Sequence, residues 1–110
     1  MKRVIVESPY AGDIAGNVRY ARRAVLDCLL RGEAPFASHL LYTQRGLLDD
    51  DDIEQRKLGI EAGFAWRSVA ELTVFYLDLG WSRGMMEARA HCVEGGWAFE
   101  DRRLGVGAGQ

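Results

Sequence analysis

Leu72-Thr73-Val74-Phe75-Tyr76-Leu77-Asp78-Leu79-Gly80-Trp81-Ser82-Arg83-Gly84-Met85 is the stretch that decides the fold. Its first six residues form a near-continuous apolar run, the pattern of a strand buried on both faces. A carboxylate, a hydroxyl and two glycines then fall where the strand ends and a helix begins. The chain opens in the same way: Val4-Ile5-Val6 runs into Glu7-Ser8-Pro9-Tyr10-Ala11-Gly12-Asp13 and then a long helix. In open parallel sheets ligands collect beyond the carboxyl ends of the strands, so two polar turns at one edge predict a pocket.

Working outward, a first strand is predicted over residues 3–8. Asp13 caps a helix in which Val18, Ala21, Val25, Cys28 and Leu29 recur at helical spacing, and Gly32 ends it. Arg19, Arg22, Arg23 and Asp27 take the other face. Pro35–Ser38 reads as a short second strand, with proline at its start. Residues 45–53 are a loop. A second helix runs from Ile53 to about Val69 with Leu58, Ala62, Ala65, Trp66 and Val69 on one face. Gly59 and Gly63 leave a smooth groove on it, against which something packs. The third strand is 72–78, the third helix 83–95, and Trp97–Glu100 a fourth strand. The order β-α-β-α-β-α-β predicts an α/β, three-layer, doubly wound (flavodoxin- or Rossmann-like) sheet of four parallel strands in order 2-1-3-4. Residues 1–104 form one domain and 105–110 a flexible tail.

Composition narrows the function classes. At 48% hydrophobic and 27% charged residues the chain is an ordinary globular domain. A net charge of -2 argues against a nucleic-acid partner bound through phosphate neutralisation. No apolar run approaches a membrane span, and Cys28 and Cys92 read as small buried thiols of a reducing, cytoplasmic setting. Asp49–Asp52 lacks the alternate spacing of a calcium loop and reads as a solvated lead into the next helix. His91 has no partner at ligand spacing. Neither a metal nor a cofactor is expected.

Several residues carry two readings. Ser8 and the amides around Gly12 could hold an anion at a helix start, or Asp13 could simply cap that helix. His39, at the carboxyl end of the second strand, is either structural or poised to polarise a leaving group. Asp78, Ser82 and Glu87 could be a cap and its neighbours, or acid–base and nucleophilic groups. Trp81 is the one tryptophan placed to touch a ligand; Trp66 and Trp97 read as core or interface.

Ser8-Pro9-Tyr10-x-Gly12-Asp13, Asn17-Val18-x-x-Ala21, Pro35-Phe36-Ala37-x-His39-Leu40, Gly59-Ile60-Glu61-Ala62-Gly63 and Asp78-Leu79-Gly80-x-Ser82-x-Gly84-Met85 form a series. Over residues 3–104 it resembles small phage and bacterial proteins grouped with the nucleoside 2-deoxyribosyltransferase-like superfamily. The resemblance implies a nucleoside- or nucleotide-binding protein that cleaves or transfers an N-glycosidic bond, as a hydrolase or deoxyribosyltransferase. A non-catalytic nucleotide-binding or nucleotide-sequestering protein is the alternative. The superfamily pattern S-x-G-x-x-x-E places its glutamate at position 88, where this chain has Ala88. Glu87, one residue and about 100° away on a helix, is then the expected catalytic carboxylate, with Asp78 or Glu61 as substitutes. Ser8, Tyr10 and Gly12 are expected to frame sugar or phosphate, with Asn17 beside that loop. His39 and Tyr42 are expected on the opposite wall, and Asp78, Ser82 and Gly84 toward the ribose. Shared active sites in the superfamily and the glycine groove together imply a homodimer.

Overall fold

The computed structural model describes residues 1–105. Its elements run β1 (Lys2–Glu7), α1 (Ile14–Leu30), β2 (Glu33–Phe36), α2 (Ser38–Leu41), α3 (Ile53–Ala65), β3 (Leu72–Tyr76), α4 (Arg83–Gly95) and β4 (Phe99–Arg102). All strand pairs are parallel and the sheet order is β2-β1-β3-β4, as the sequence predicts. Val4 lies opposite Leu72 and Glu7 opposite Phe75, which brings the polar ends of the two central strands to one edge.

Strand side chains alternate between faces. Val4 and Val6, with Leu72, Val74 and Tyr76, pack on Tyr20, Ala24 and Cys28 of α1. Phe75 and Leu77 point the other way, to Met85, Ala88 and Cys92 of α4, with Phe64 of α3 against them. Glu7 lies opposite Phe75 in the ladder and shares that second face. Asp13 starts α1 by accepting from the Gly16 N–H, and Gly96, in the left-handed region at φ 68°, ends α4.

The boundaries differ from expectation in instructive ways. β2 begins at Glu33, two residues before Pro35, because an edge strand tolerates a proline in its ladder. β4 starts at Phe99; Trp97 instead turns back onto His91, with ring centroids 4.8 Å apart. The inner face of α1 is rotated: Asn17, Tyr20, Ala21, Ala24 and Cys28 are buried, while Leu29 is 48% exposed. Asn17 tolerates burial because its amide donates to the carbonyls of Tyr10 and Ala11 at 2.9 and 3.0 Å.

The second predicted helix changes most. It ends at Ala65, and Leu58, Trp66 and Val69 are exposed. Its inner face is Gly59, Ile60, Gly63 and Phe64 instead. A Cβ at Gly63 would lie 2.7 Å from Ser38 Oγ, and one at Gly59 would lie 3.2 Å from Leu48 Cδ1. The glycine groove is therefore filled by the same chain, not by a second subunit. Gly105, expected to begin a tail, donates to Asp78 at 3.1 Å; the rest of that expected tail lies outside the described residues. Among the described residues no helix is long and apolar enough to cross a membrane.

Candidate functional site

The carboxyl end of β1, the segment after β2 and the start of α4 open onto one cleft, walled on its far side by α3. It encloses a cavity of about 170 Å³. Because β1 is apolar only as far as Val6, its last residue and the turn behind it reach the cleft as Glu7, Ser8 and Tyr10. His39 arrives on α2, which starts directly after the edge strand, and Tyr42 follows one turn later.

Ser8 Oγ and His39 Nε2 are 2.7 Å apart. Burial alone pulls the His39 imidazole down to about 4, so the ring is neutral near pH 7 and can accept from the serine or donate to it. The Thr43 hydroxyl donates to the His39 carbonyl at 2.6 Å and steadies the turn. Tyr42 is held from outside by the Trp66 indole, which donates to its hydroxyl at 3.1 Å.

Glu7 is the unusual member. Burial pushes its carboxyl up to about 7, with the Arg67 guanidinium pulling in the opposite direction. Arg67 is fully buried, donating to Thr73 Oγ1 at 2.9 Å and to His91 Nδ1 at 3.4 Å. His91, itself lowered by burial and by Arg67, stacks on Phe64 at 4.2 Å. Glu7 and Arg67 both escape a motif search. The available signal was a carboxylate closing an otherwise apolar strand at the edge where sites occur.

On the far wall Ser82 caps α4, its hydroxyl accepting from the Met85 N–H at 3.2 Å. Gly84 and Glu87 line the cleft beyond it. Glu87 pairs with Arg83 at 3.6 Å, and Asp50 pairs with Arg56 at 3.8 Å. Ala88, at the position where the resemblance places a glutamate, is fully buried against Phe75 and Met85. The helix thus presents Glu87 to the cleft and position 88 to the core. In the aspartate run, Asp52 caps α3 through the Gln55 N–H, while Asp50 reaches the cleft.

Ser8, Tyr10, His39, Tyr42, Ser82, Gly84 and Glu87 therefore share one site, and Gly12, Asn17, Glu61 and Asp78 do not line it. Gly12, at φ +96°, shapes the turn, and Asn17 ties that turn down from behind. Glu61 lies exposed on α3. Asp78 grips the chain after β4: the Tyr20 hydroxyl and the N–H groups of Leu104 and Gly105 donate to it. Burial raises its carboxyl, but those hydrogen bonds outweigh burial and hold it below the ordinary range. Trp81 packs on Phe75 at 5.2 Å, away from the cleft. Among the described residues no group of three or more His, Cys, Asp or Glu side chains could hold a metal ion.

Residues 2–102 match the family model described as Domain of unknown function (DUF7768). The chain belongs to that family. The match runs from the first residue of β1 to the last of β4, so every wall of the cleft falls within it. No curated protein and no solved structure matches the chain.

Proposed function

We propose that the cleft binds a nucleoside or nucleotide and cleaves its N-glycosidic bond, passing the sugar to water or to a second base. The observation that carries this reading is that Glu87 shares the cleft with the hydrogen-bonded Ser8–His39 pair and with Tyr10. An oxocarbenium-like sugar needs a carboxylate close to its anomeric carbon, which is the role given to Glu87. The Ser8–His39 pair offers both a donor and an acceptor to sugar hydroxyls. Tyr10 and Tyr42 offer faces to a base, and Arg56 and Arg83 suit a 5′-phosphate. The superfamily resemblance supplies the reaction class. A homodimer rests on that resemblance alone, since the glycine groove is covered within the chain. Two free buried cysteines support a cytoplasmic setting.

The test is a panel of deoxynucleosides and their 5′-monophosphates, with released base measured by chromatography. Base release that falls at least about 100-fold in Glu87→Ala is expected. A second reading, a nucleotide-holding protein without turnover, is favoured by the Arg83–Glu87 pair, which ties up the carboxylate. It requires a nucleotide that raises the melting temperature with no base released; a ligand at 100 times its Kd adds about 2.7 kcal/mol. If no panel member is cleaved or raises the melting temperature, both readings fail.

A further inference from the structure

We infer that Glu7 donates the proton to the departing base while Glu87 receives the sugar, a division of labour that rests on the glycosidic reading above. Glu7 stands at the end of β1 and Glu87 on α4, two carboxylates on separate elements lining one cleft. That pairing is what a bond between a sugar and a poor leaving group needs: one group to protonate what leaves, another to meet the carbon left behind.

Three further observations select Glu7 as the donor. No donor among the described residues hydrogen-bonds its carboxyl, and its half-buried oxygens open to the cleft, so its proton is not committed to holding the fold. His39, the other candidate, is neutral near pH 7 and already paired with Ser8. Arg67 is held by Thr73 and His91 and acts on Glu7 through space without closing an ion pair. A half-buried carboxyl raised to about 7 is half protonated where the protein would work, which suits a group that gives a proton and later takes one. The charged or titratable groups that line the cleft with it are Tyr10, His39, Tyr42, Asp50, Arg56, Arg83 and Glu87, and Arg67, after α3, acts on it electrostatically.

The atoms balance without a further reactant except water. The C1′–N bond breaks with its electron pair going to the base, whose nitrogen or oxygen takes the Glu7 proton. C1′ bonds to a Glu87 carboxylate oxygen. Water then adds to C1′ as that ester bond breaks, its electron pair returns to Glu87, and the water proton goes to Glu7. Nucleoside and water become free base and sugar.

The experiment compares the natural nucleotide with the p-nitrophenyl glycoside of the same sugar, whose leaving group needs no proton. Glu7→Gln is expected to slow base release by about 100- to 10,000-fold and to change the pre-steady-state burst of p-nitrophenolate, which precedes the water step, by less than about fivefold. Glu87→Ala slows both. Arg67→Met, which removes the pull that lowers the Glu7 carboxyl, is expected to move the falling alkaline limb of kcat to higher pH. Should Glu7→Gln not fold, Glu7→Asp gives the same contrast between substrates. Equal losses on both substrates, or base release unaffected by Glu7→Gln, overturns the inference and leaves the glycosidic reading standing. A wild-type protein that turns over neither substrate sinks that reading and this inference with it.

Discussion

The two faces of the sheet place their charged groups differently. On the α1 face, among the described residues, the enclosed ones are paired with one another. Arg102 donates to both Glu33 carboxylate oxygens at 2.7 Å, and the Tyr76 hydroxyl donates to Asp27 at 2.6 Å. On the α3–α4 face Arg67 is answered by Thr73 and His91, but Glu7 has no hydrogen-bond donor and sits instead in the wall of the cleft. A matched group stabilises the fold and is unavailable for chemistry. A half-buried, unpaired carboxyl that opens to the cleft remains available for chemistry. The difference between the faces is thus a difference between holding and doing.

The sharpest way to break this comparison is to unmatch the closed face. Arg102→Ala strands the Glu33 carboxylate, whose neighbour now holds it below its usual range by hydrogen bonding, in a pocket where both side chains are nearly enclosed. Loss of one partner of a buried pair costs about 3–5 kcal/mol, measurable by urea unfolding. Arg83→Ala, which breaks a pair with 89% and 44% exposed side chains, is expected to leave stability almost unchanged. Similar losses in the two variants would mean that the faces are not energetically distinct.

A smaller effect concerns the open face and pH. Glu7 is raised from 4.5 to about 7, so the folded state holds its proton longer and stability falls as pH rises through that window. His39 is lowered from 6.5 to about 4, so its contribution is complete above 6.5 and is lost as pH falls toward 4. Each shift amounts to about 3 kcal/mol, and the two oppose each other over nearly the same range. His91, lowered by burial and by Arg67, adds to the His39 side of that balance, so wild-type stability is expected to rise with pH between about 4.5 and 6.5. Glu7→Gln should steepen that climb, and His39→Gln should flatten or reverse it. Urea midpoints across that interval check it, and parallel curves for the two variants would contradict the opposed burial of these groups.

The contrast also explains what could be read from sequence. The closed face was legible because burial on both sides of β1 and β3 writes an apolar run, and strand order follows from helix-length connections. The positions of Ser8, His39, Ser82 and Gly84 were legible because they follow strand ends. Asp78 follows one too, yet it serves the chain after β4, since nothing in a strand end says which neighbour it will face. Glu7 was passed over because a single carboxylate matches no motif; its role depends on the cleft it opens into, whose far wall is α3. That helix was the least legible element. Its apolar residues suggested a face through Leu58, Ala62 and Trp66, which is exposed at Leu58 and Trp66, whereas contact is made through the Gly59–Gly63 groove, which the sequence marked as a packing surface without saying what fills it.

That reasoning gives the smallest effect. A methyl at position 63 would sit 2.7 Å from Ser38 Oγ and 2.9 Å from Ser38 Cβ, so α3 and α2 must separate. Overpacking of this kind costs about 1–3 kcal/mol, and alanine returns about 1 kcal/mol of helix propensity. Gly63→Ala is therefore expected to destabilise by about 1 kcal/mol net. Combined with Ser38→Gly the steric part should vanish, so a double-mutant cycle should show a favourable coupling between the two sites. Since His39 and Tyr42 ride on or directly after α2, the single variant should also weaken ligand binding, and the double variant should restore it. Additive energies would mean that the glycine is not what lets the two helices close, and that the open face owes its shape to something other than this contact.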